Sequence, residues 1–421
     1  MSHLIREFRR QPAALCLAVL ICVGGLPTAA LSADAPKQEI SRSIAKEYMA
    51  AQKAYQAQQW SEVVKNLEAA EAKSGITNFD KTHVQDLKGY AYIRLNNFKA
   101  AEAAFEQAVA AGAYTPEELA KTNHMLFQIA AQNQQNAKAI EYGKSVTESS
   151  GATPNDFLLE SQLYYLQKDC KDSTAWADKA IASYRKANEQ PKELLYQFKL
   201  QCANDAGDNA GVIAALTELV RLTNKISYWN NLIRIERQDE RDDANTLMIY
   251  RIMYDTNSMN ADTDYIEMAQ LLADKSLPGE AQMVLEKATS SGVLKDEHKE
   301  RTTRLLNSLK ARADTDKKGL PQLEAEASKN PAGQLDIKLG EVYFGAGDCQ
   351  GAVTALNRGL QKGQVKSMDE GYVYLGRSQA CLKNYAEAKK AFAGLKNVPN
   401  ISPRVLKLYE LYAEKVGQPL T

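Results

Sequence analysis

The chain has 421 residues, 52 basic against 52 acidic, and 44% of its residues are apolar. That apolar share suffices for a large core, and a net charge of zero leaves no electrostatic footprint for nucleic acid or an anionic membrane. Six cysteines without a C-x-x-C, and four scattered histidines (His3, His83, His124 and His298), offer no zinc or redox motif.

The first element is a targeting segment. Arg6, Arg9 and Arg10 form a basic start, an apolar run extends from Ala13 to Leu26, and small residues after Pro27 lead to Ala33. This is the layout of a secretory signal over residues 1–33, and the run is too short to span a bilayer. Neither Cys16 nor Cys22 follows a small residue, which argues against a lipoprotein site, and "QPA" follows Arg9-Arg10 where a twin-arginine signal carries apolar residues. Cleavage removes three Arg and one Glu, leaving 49 basic and 51 acidic residues and four cysteines. An even number of cysteines in an oxidising compartment reads as disulfides.

The remainder is one unit repeated. Apolar and small residues recur as Trp60, Val63, Leu67 and Ala70, and then as Gly89, Tyr92, Phe98, Ala101, Phe105 and Ala108. Leu126 and Ala139 follow, then Tyr164, Ala177 and Ala180, and Val212, Leu216 and Leu219. Trp229 and Leu232 start a sixth unit; Tyr265, Ala269, Leu272, Ala281, Leu285 and Ala288 make a seventh. Residues 296–329 read as a worn eighth helical pair. Leu339, Gly340, Tyr343, Gly347, Ala352 and Leu356 form a ninth unit, and Leu375, Gly376, Tyr385, Ala388 and Phe392 a tenth. "PRVLKLYELYAEKV", from Pro403, reads as a lone amphipathic capping helix. "TPEEL" and "TPNDF" place Pro at first helical positions after Thr, and no alternating pattern calls for a strand.

This pattern resembles the tetratricopeptide (TPR) repeat, W-x2-L-G-x2-Y, then G-x-Y, then A-x3-F-x2-A. The resemblance implies an all-α fold, a right-handed TPR-type α-solenoid of about ten helical hairpins with a C-terminal capping helix. The expected division is a superhelix over 34–290, a degenerate helical pair or linker over 291–330, and further repeats with the capping helix over 331–421. In stacked hairpins the start of one unit's second helix neighbours the end of the next unit's first helix. Cys170 and Cys202, and Cys349 and Cys381, each 32 apart, fall at such places. Two disulfides are therefore expected, each closing a loop worth about 3–4 kcal/mol.

No nucleophile elbow, zincin, Walker or dinucleotide motif occurs, so neither catalysis nor a cofactor is expected. The resemblance implies instead a protein or extended-peptide partner on the first-helix face. Mapped residue by residue, that face offers His83, Asp86, Tyr90 and Arg94, then Lys121, His124, Gln128 and Gln132. Gln162 and Tyr165 follow, then Gln197, Gln201 and Asn204, and finally Asn230, Arg234 and Arg237. Amides serve an extended backbone and arginines a carboxylate. Asn230, Arg234 and Arg237 are loosely similar to the carboxylate clamp of peptide-binding relatives, although the adjacent units lack its matching Lys/Asn set. A merely solvated polar face is the alternative for all these positions.

The segment "MIYRIMYDTN" with "DYIEMAQLLADKSLPGEAQMVLEKATSSGVL" is similar to secreted bacterial TPR proteins linked to outer-membrane uptake systems of the TonB/ExbB type. It implies a non-catalytic scaffold in the periplasm of a Gram-negative bacterium, without membrane insertion of the mature chain. A component of periplasmic polysaccharide export is the alternative.

Overall fold

The computed structural model describes residues 39–238 and 240–421. The expected signal segment, 1–33, lies outside the described residues. Twenty α-helices follow in order, with no strand among the described residues. They are α1 (Ala45–Gln56), α2 (Trp60–Glu71), α3 (Asn78–Arg94), α4 (Phe98–Ala111), α5 (Pro116–Gln132), α6 (Asn136–Thr147) and α7 (Pro154–Leu166). Then come α8 (Cys170–Lys186), α9 (Glu193–Asp205), α10 (Asn209–Thr223), α11 (Ile226–Arg237), α12 (Asp243–Asp255), α13 (Asp262–Asp274) and α14 (Pro278–Ser290). The last are α15 (Asp296–Lys329), α16 (Gln334–Gly345), α17 (Cys349–Lys362), α18 (Met368–Cys381), α19 (Tyr385–Ala393) and α20 (Pro403–Lys415). The chain forms two compact units, unit 1 ending at Cys202 and unit 2 running from Ala203 to Thr421.

Unit 1 stacks the hairpins α1/α2, α3/α4, α5/α6 and α7/α8 and ends in α9. One turn recurs inside every hairpin. The first helix stops at a left-handed residue, Gln58, Asn96, Gln134 or Lys168. The next N–H then reaches back five residues, as Gln59 to the Ala54 carbonyl and Asn97 to that of Tyr92, both at 2.9 Å. This satisfies helix-end carbonyls in the manner of a Schellman cap. At Asn97 and Asp169 the residue after the turn then caps the second helix through its side chain. The first helices open with capping boxes, Thr77 with Asp80, Thr115 with Glu118 and Thr153 with Asp156. The expected small-residue contact is present: a Cβ on Gly89 would lie 2.6 Å from the Phe105 ring. Trp60, Val63, Leu67 and Ala70 all belong to the second helix of the first hairpin, which Trp60 starts.

Unit 2 repeats these devices. Left-handed turns fall at Ser276, Gly347 and Lys383, Gly340 packs on Leu356, and Gly376 packs on Phe392. Trp229 is fully buried and donates its indole N–H to Asn224 Oδ1 at 2.9 Å.

Two features depart from the expectation. Residues 296–329 are one continuous helix of 34 residues, not a worn pair, even though Gly319 and Pro321 lie inside it. Its composition of Lys, Arg, Glu, Leu and Ala favours helix throughout, and only Thr302, Leu309 and Ala327 are buried. The helices on its two sides, α14 and α16, also touch each other directly, so packing is continuous where a linker was expected.

The second departure is α20. It packs on α19 and also returns to α12 and α10. The tail beyond it forms a short bridge, with Ile226 N–H to the Thr421 carbonyl at 3.0 Å and the Asn224 amide to the Pro419 carbonyl at 2.9 Å. Unit 2 thus closes on itself, and α12 is buried on every side from Leu247 to Met253. A helix buried on every side is central to its unit rather than facing a groove.

Cys170–Cys202 and Cys349–Cys381 are at disulfide distance, with Cα separations of 5.4 and 6.3 Å. Both join the first residue of a second helix to the last turn of the following first helix.

Candidate functional site

Most of the first helices carry an acid at their third position, where the helix dipole favours negative charge, α9 and α11 excepted. In unit 1, Asp80 accepts Ser41 N–H at 2.8 Å, and Asp156 Oδ1 lies 2.7 Å from His124 Nε2. Burial pushes the Asp156 carboxyl up, but its bonds from His124 and Thr153 outweigh this and hold it below the usual range. In unit 2, Asp264 meets Arg234 at 3.2 Å and Arg237 at 3.4 Å, and Asp336 meets Lys362 at 2.8 Å. The first three ties join neighbouring hairpins, and the Asp336–Lys362 pair lies within the single hairpin α16/α17.

These ties redefine several residues read as partner-binding. Arg234 also donates to Asn230 and to Asn260, and Asn230 donates to the Ser258 carbonyl at 2.5 Å. Arg237 bonds the Tyr250 hydroxyl and lies 4.7 Å over its ring. The three positions resembling a carboxylate clamp are therefore committed internally, because Asp264 follows 30 residues after Arg234 at the start of the next first helix. His124 does the same for Asp156, and Gln128 lies against His124 at 3.0 Å.

Unit 2 holds a buried ionic centre that sequence reasoning did not find. Arg251, with no exposure, contacts Glu280 at 2.9 Å and Glu370 at 2.6 Å, and donates to the Tyr374 hydroxyl at 3.0 Å. Arg377 bridges Glu280 and Asp255, the latter at 2.9 Å. Burial alone would raise Glu280, but the charges of Arg251 and Arg377 override it and bring the carboxyl down to about 2. Tyr374 donates to Glu280 at 2.5 Å, and Tyr412 of α20 reaches Asp255 at 3.4 Å. Its hydrogen bonds are made within the unit, so it fastens α12, α14, α18 and α20 together. "MIYRIMYDTN", which suggested a class of uptake proteins, supplies Arg251 and Asp255 to this centre.

On the first-helix face of unit 1, His124 and Gln128 are likewise engaged, and the contrast with unit 2 lies on α1 and α3. Lys121 is exposed; Gln162 and Gln201 are half-buried; Tyr165 stacks on Phe198 with centroids 4.6 Å apart; Gln197 bonds Glu193 at 3.0 Å. On α3, Asp86 and Tyr90 are one turn apart and half-buried. Asp86 accepts from the Tyr114 hydroxyl at 2.5 Å, and Tyr90 meets Phe105 edge-on at 5.2 Å. Arg94 lies 4.9 Å over Trp60, which meets Tyr55 edge-on at 5.3 Å. Burial pushes Asp86 up to about 6, and burial with the Asp86 charge pushes Tyr48 up to about 12. Tyr48, Tyr55 and Tyr114 were missed in the sequence. Tyr48 and Tyr55, seven apart and so on one face of α1, were the available signal.

No protein-family model matches the chain, and no curated protein matches it. Solved structures align at low identity. One is a tetratricopeptide repeat protein from Parabacteroides merdae ATCC 43184, at 10% identity over 80% of this chain and 100% of that one, TM-score 0.33. Another is the C-terminal part of a TPR repeat-containing protein from Cytophaga hutchinsonii, at 11% identity over 62% and 95%, TM-score 0.35. A third is the TPR2AB-domain:pHSP90-complex of yeast Sti1, at 16% identity over 63% and 98%, TM-score 0.32. The chain's own hairpins, with glycine against a large side chain at a fixed slot and one recurring turn, define its class: an all-α, TPR-type repeat protein.

Proposed function

We propose that this chain is a non-catalytic scaffold of the Gram-negative periplasm that holds an extended segment of a protein partner along the first-helix face of unit 1. The observation that carries this is the contrast between the units. The polar residues of α11 and the centre of unit 2 are spent on internal bonds, whereas α1 and α3 keep half-buried tyrosines and a carboxylate without a cation. The basic and apolar start of the chain and two cysteine pairs at disulfide distance support an oxidising compartment. No helix among the described residues is long and apolar enough to cross a membrane.

The partner class is a protein of a cell-envelope machine, of which a TonB/ExbB-type uptake system is the first to test. The experiment is quantitative affinity purification from envelope extracts with wild type, with Gln128→Ala/Gln162→Ala/Tyr165→Ala, and with Arg234→Ala/Arg237→Ala. The unit 1 variant should lose co-purified proteins at least tenfold while the unit 2 variant retains them if folded. Equal recovery from all three overturns the assignment, and carbohydrate in place of protein supports a role in polysaccharide export.

A further inference from the structure

The region between α1, α3 and the lead-in to α5 combines four tyrosines with one carboxylate. Among the described residues, the hydroxyls of Tyr48, Tyr55 and Tyr90 have no hydrogen-bond partner within the chain. Asp86 has no cation within ion-pair distance, and its single bond, from Tyr114, uses only Oδ1. Half-buried polar groups left without partners are costly unless solvent or a ligand supplies them.

We infer that Tyr48, Tyr55, Asp86, Tyr90 and Tyr114 form a subsite for a cationic side chain, lysine or arginine, of an extended peptide. This rests on the scaffold assignment above. The unmet groups include a carboxylate and tyrosine oxygens, and an ammonium or guanidinium offers only donors. The ring faces add attraction for a cation. An anion meets Asp86 and the neighbouring Glu118; an apolar side chain covers Asp86 without replacing its solvent. The chain itself shows that this face accepts a guanidinium, since Arg94 lies over Trp60 beside Tyr55.

The charged and titratable groups around Asp86 are Tyr48 and Tyr55 from α1, His83, Tyr90 and Arg94 on α3, and Tyr114 and Glu118 at the start of α5, and burial holds His83 below its ordinary range and so favours its neutral form. Burial already pushes the Asp86 carboxyl up to about 6. A bound cation favours the ionised form, so affinity rises with pH through that value.

The test uses the purified, oxidised mature chain and capped hexapeptides of alternating alanine and lysine, with norleucine and glutamate versions as controls, read by calorimetry. The lysine peptide should bind saturably, the norleucine peptide at least tenfold more weakly, and the glutamate peptide not at all. Asp86→Asn should weaken the lysine peptide at least tenfold, whereas Glu68→Gln, the same charge change on the exposed face of α2, should not. Lowering the pH from 7.5 to 5 should cost wild type roughly tenfold, with Asp86→Asn insensitive. Equal effects of the two substitutions, or equal binding of lysine and norleucine peptides, overturn the subsite. An unaltered melting temperature of Asp86→Asn separates loss of binding from loss of fold. Failure here leaves the affinity purification to decide the scaffold assignment on its own.

Discussion

Glu160 on α7 gives the most quantitative prediction. It is fully buried, and neither carboxylate oxygen has a hydrogen-bond partner. It fills the space that the missing side chain of Gly143 leaves beside Phe127. Burial pushes the carboxyl up from an ordinary 4.5 to about 7, and Lys144 and Lys179 pull it back only in part. The folded chain therefore holds a proton that the unfolded chain releases above 4.5. Stability from this group is fully present below that value and is lost as the pH rises through 7. At ~1.4 kcal/mol for each tenfold change in proton concentration, the full loss is about 3.5 kcal/mol, of which about 3 falls between pH 4.5 and 8. Glu160→Gln keeps the shape and removes the titration. Hydrogen exchange of α6 to α8, compared with wild type at each pH, reads the local opening free energy. The difference between variant and wild type should shift by about 3 kcal/mol in the variant's favour between pH 4.5 and 8. A difference that is flat with pH would refute the reasoning.

Further predictions concern packing, charge and covalent ties. Gly89→Ala should cost about 1–3 kcal/mol by forcing the Phe105 ring aside, and Phe105→Leu in the same chain should recover part of the loss in thermal melts. Arg251→Ala should cost about 3–5 kcal/mol, because Glu280 and Glu370 then lie buried beside one cation fewer; exchange should rise first in α12, α14 and α18. Arg234→Ala/Arg237→Ala should expose Asp264 and loosen α11 against α13 in the same exchange assay. Non-reducing peptide mapping of secreted protein should give only Cys170–Cys202 and Cys349–Cys381, and reduction should destabilise the joined hairpins by about 3 kcal/mol each.

The fold was legible where the residue type is forced. Gly89, Gly340 and Gly376 each lie under a large side chain of the second helix, and no other residue fits without displacement. The cysteine spacing was legible once the repeat was, since it pairs fixed slots of adjacent hairpins. The turns were not, because their left-handed position is held by Gln58, Asn96, Gln134 and Lys168 as well as by Gly347. A bonded helix end outweighs the small penalty of a side chain there. The continuous α15 was not legible, since Gly319 and Pro321, which lie inside it, both disfavour a helix interior. Closure of unit 2 was hidden because α20 meets α12 some 150 residues back, beyond any periodic signal. On the site, spacing alone brought Asp86 and Tyr90 to attention, and both are half-buried one turn apart on α3. Arg234 and Arg237 were placed on it too, but their partner Asp264 belongs to the next hairpin, and only the stacked structure brings it to them.

On this reading unit 1 offers its first-helix face to a partner while unit 2 is filled by its own side chains. It is tested most directly by genetically encoded photo-crosslinkers placed at Gln128 on α5, Lys99 on α4 and Arg234 on α11, irradiated in living cells. A discrete adduct with one envelope protein from Gln128, absent at Lys99 and Arg234, is the predicted result. Adducts from Arg234 with none from Gln128, or the same adducts from Lys99 and Gln128, would contradict it.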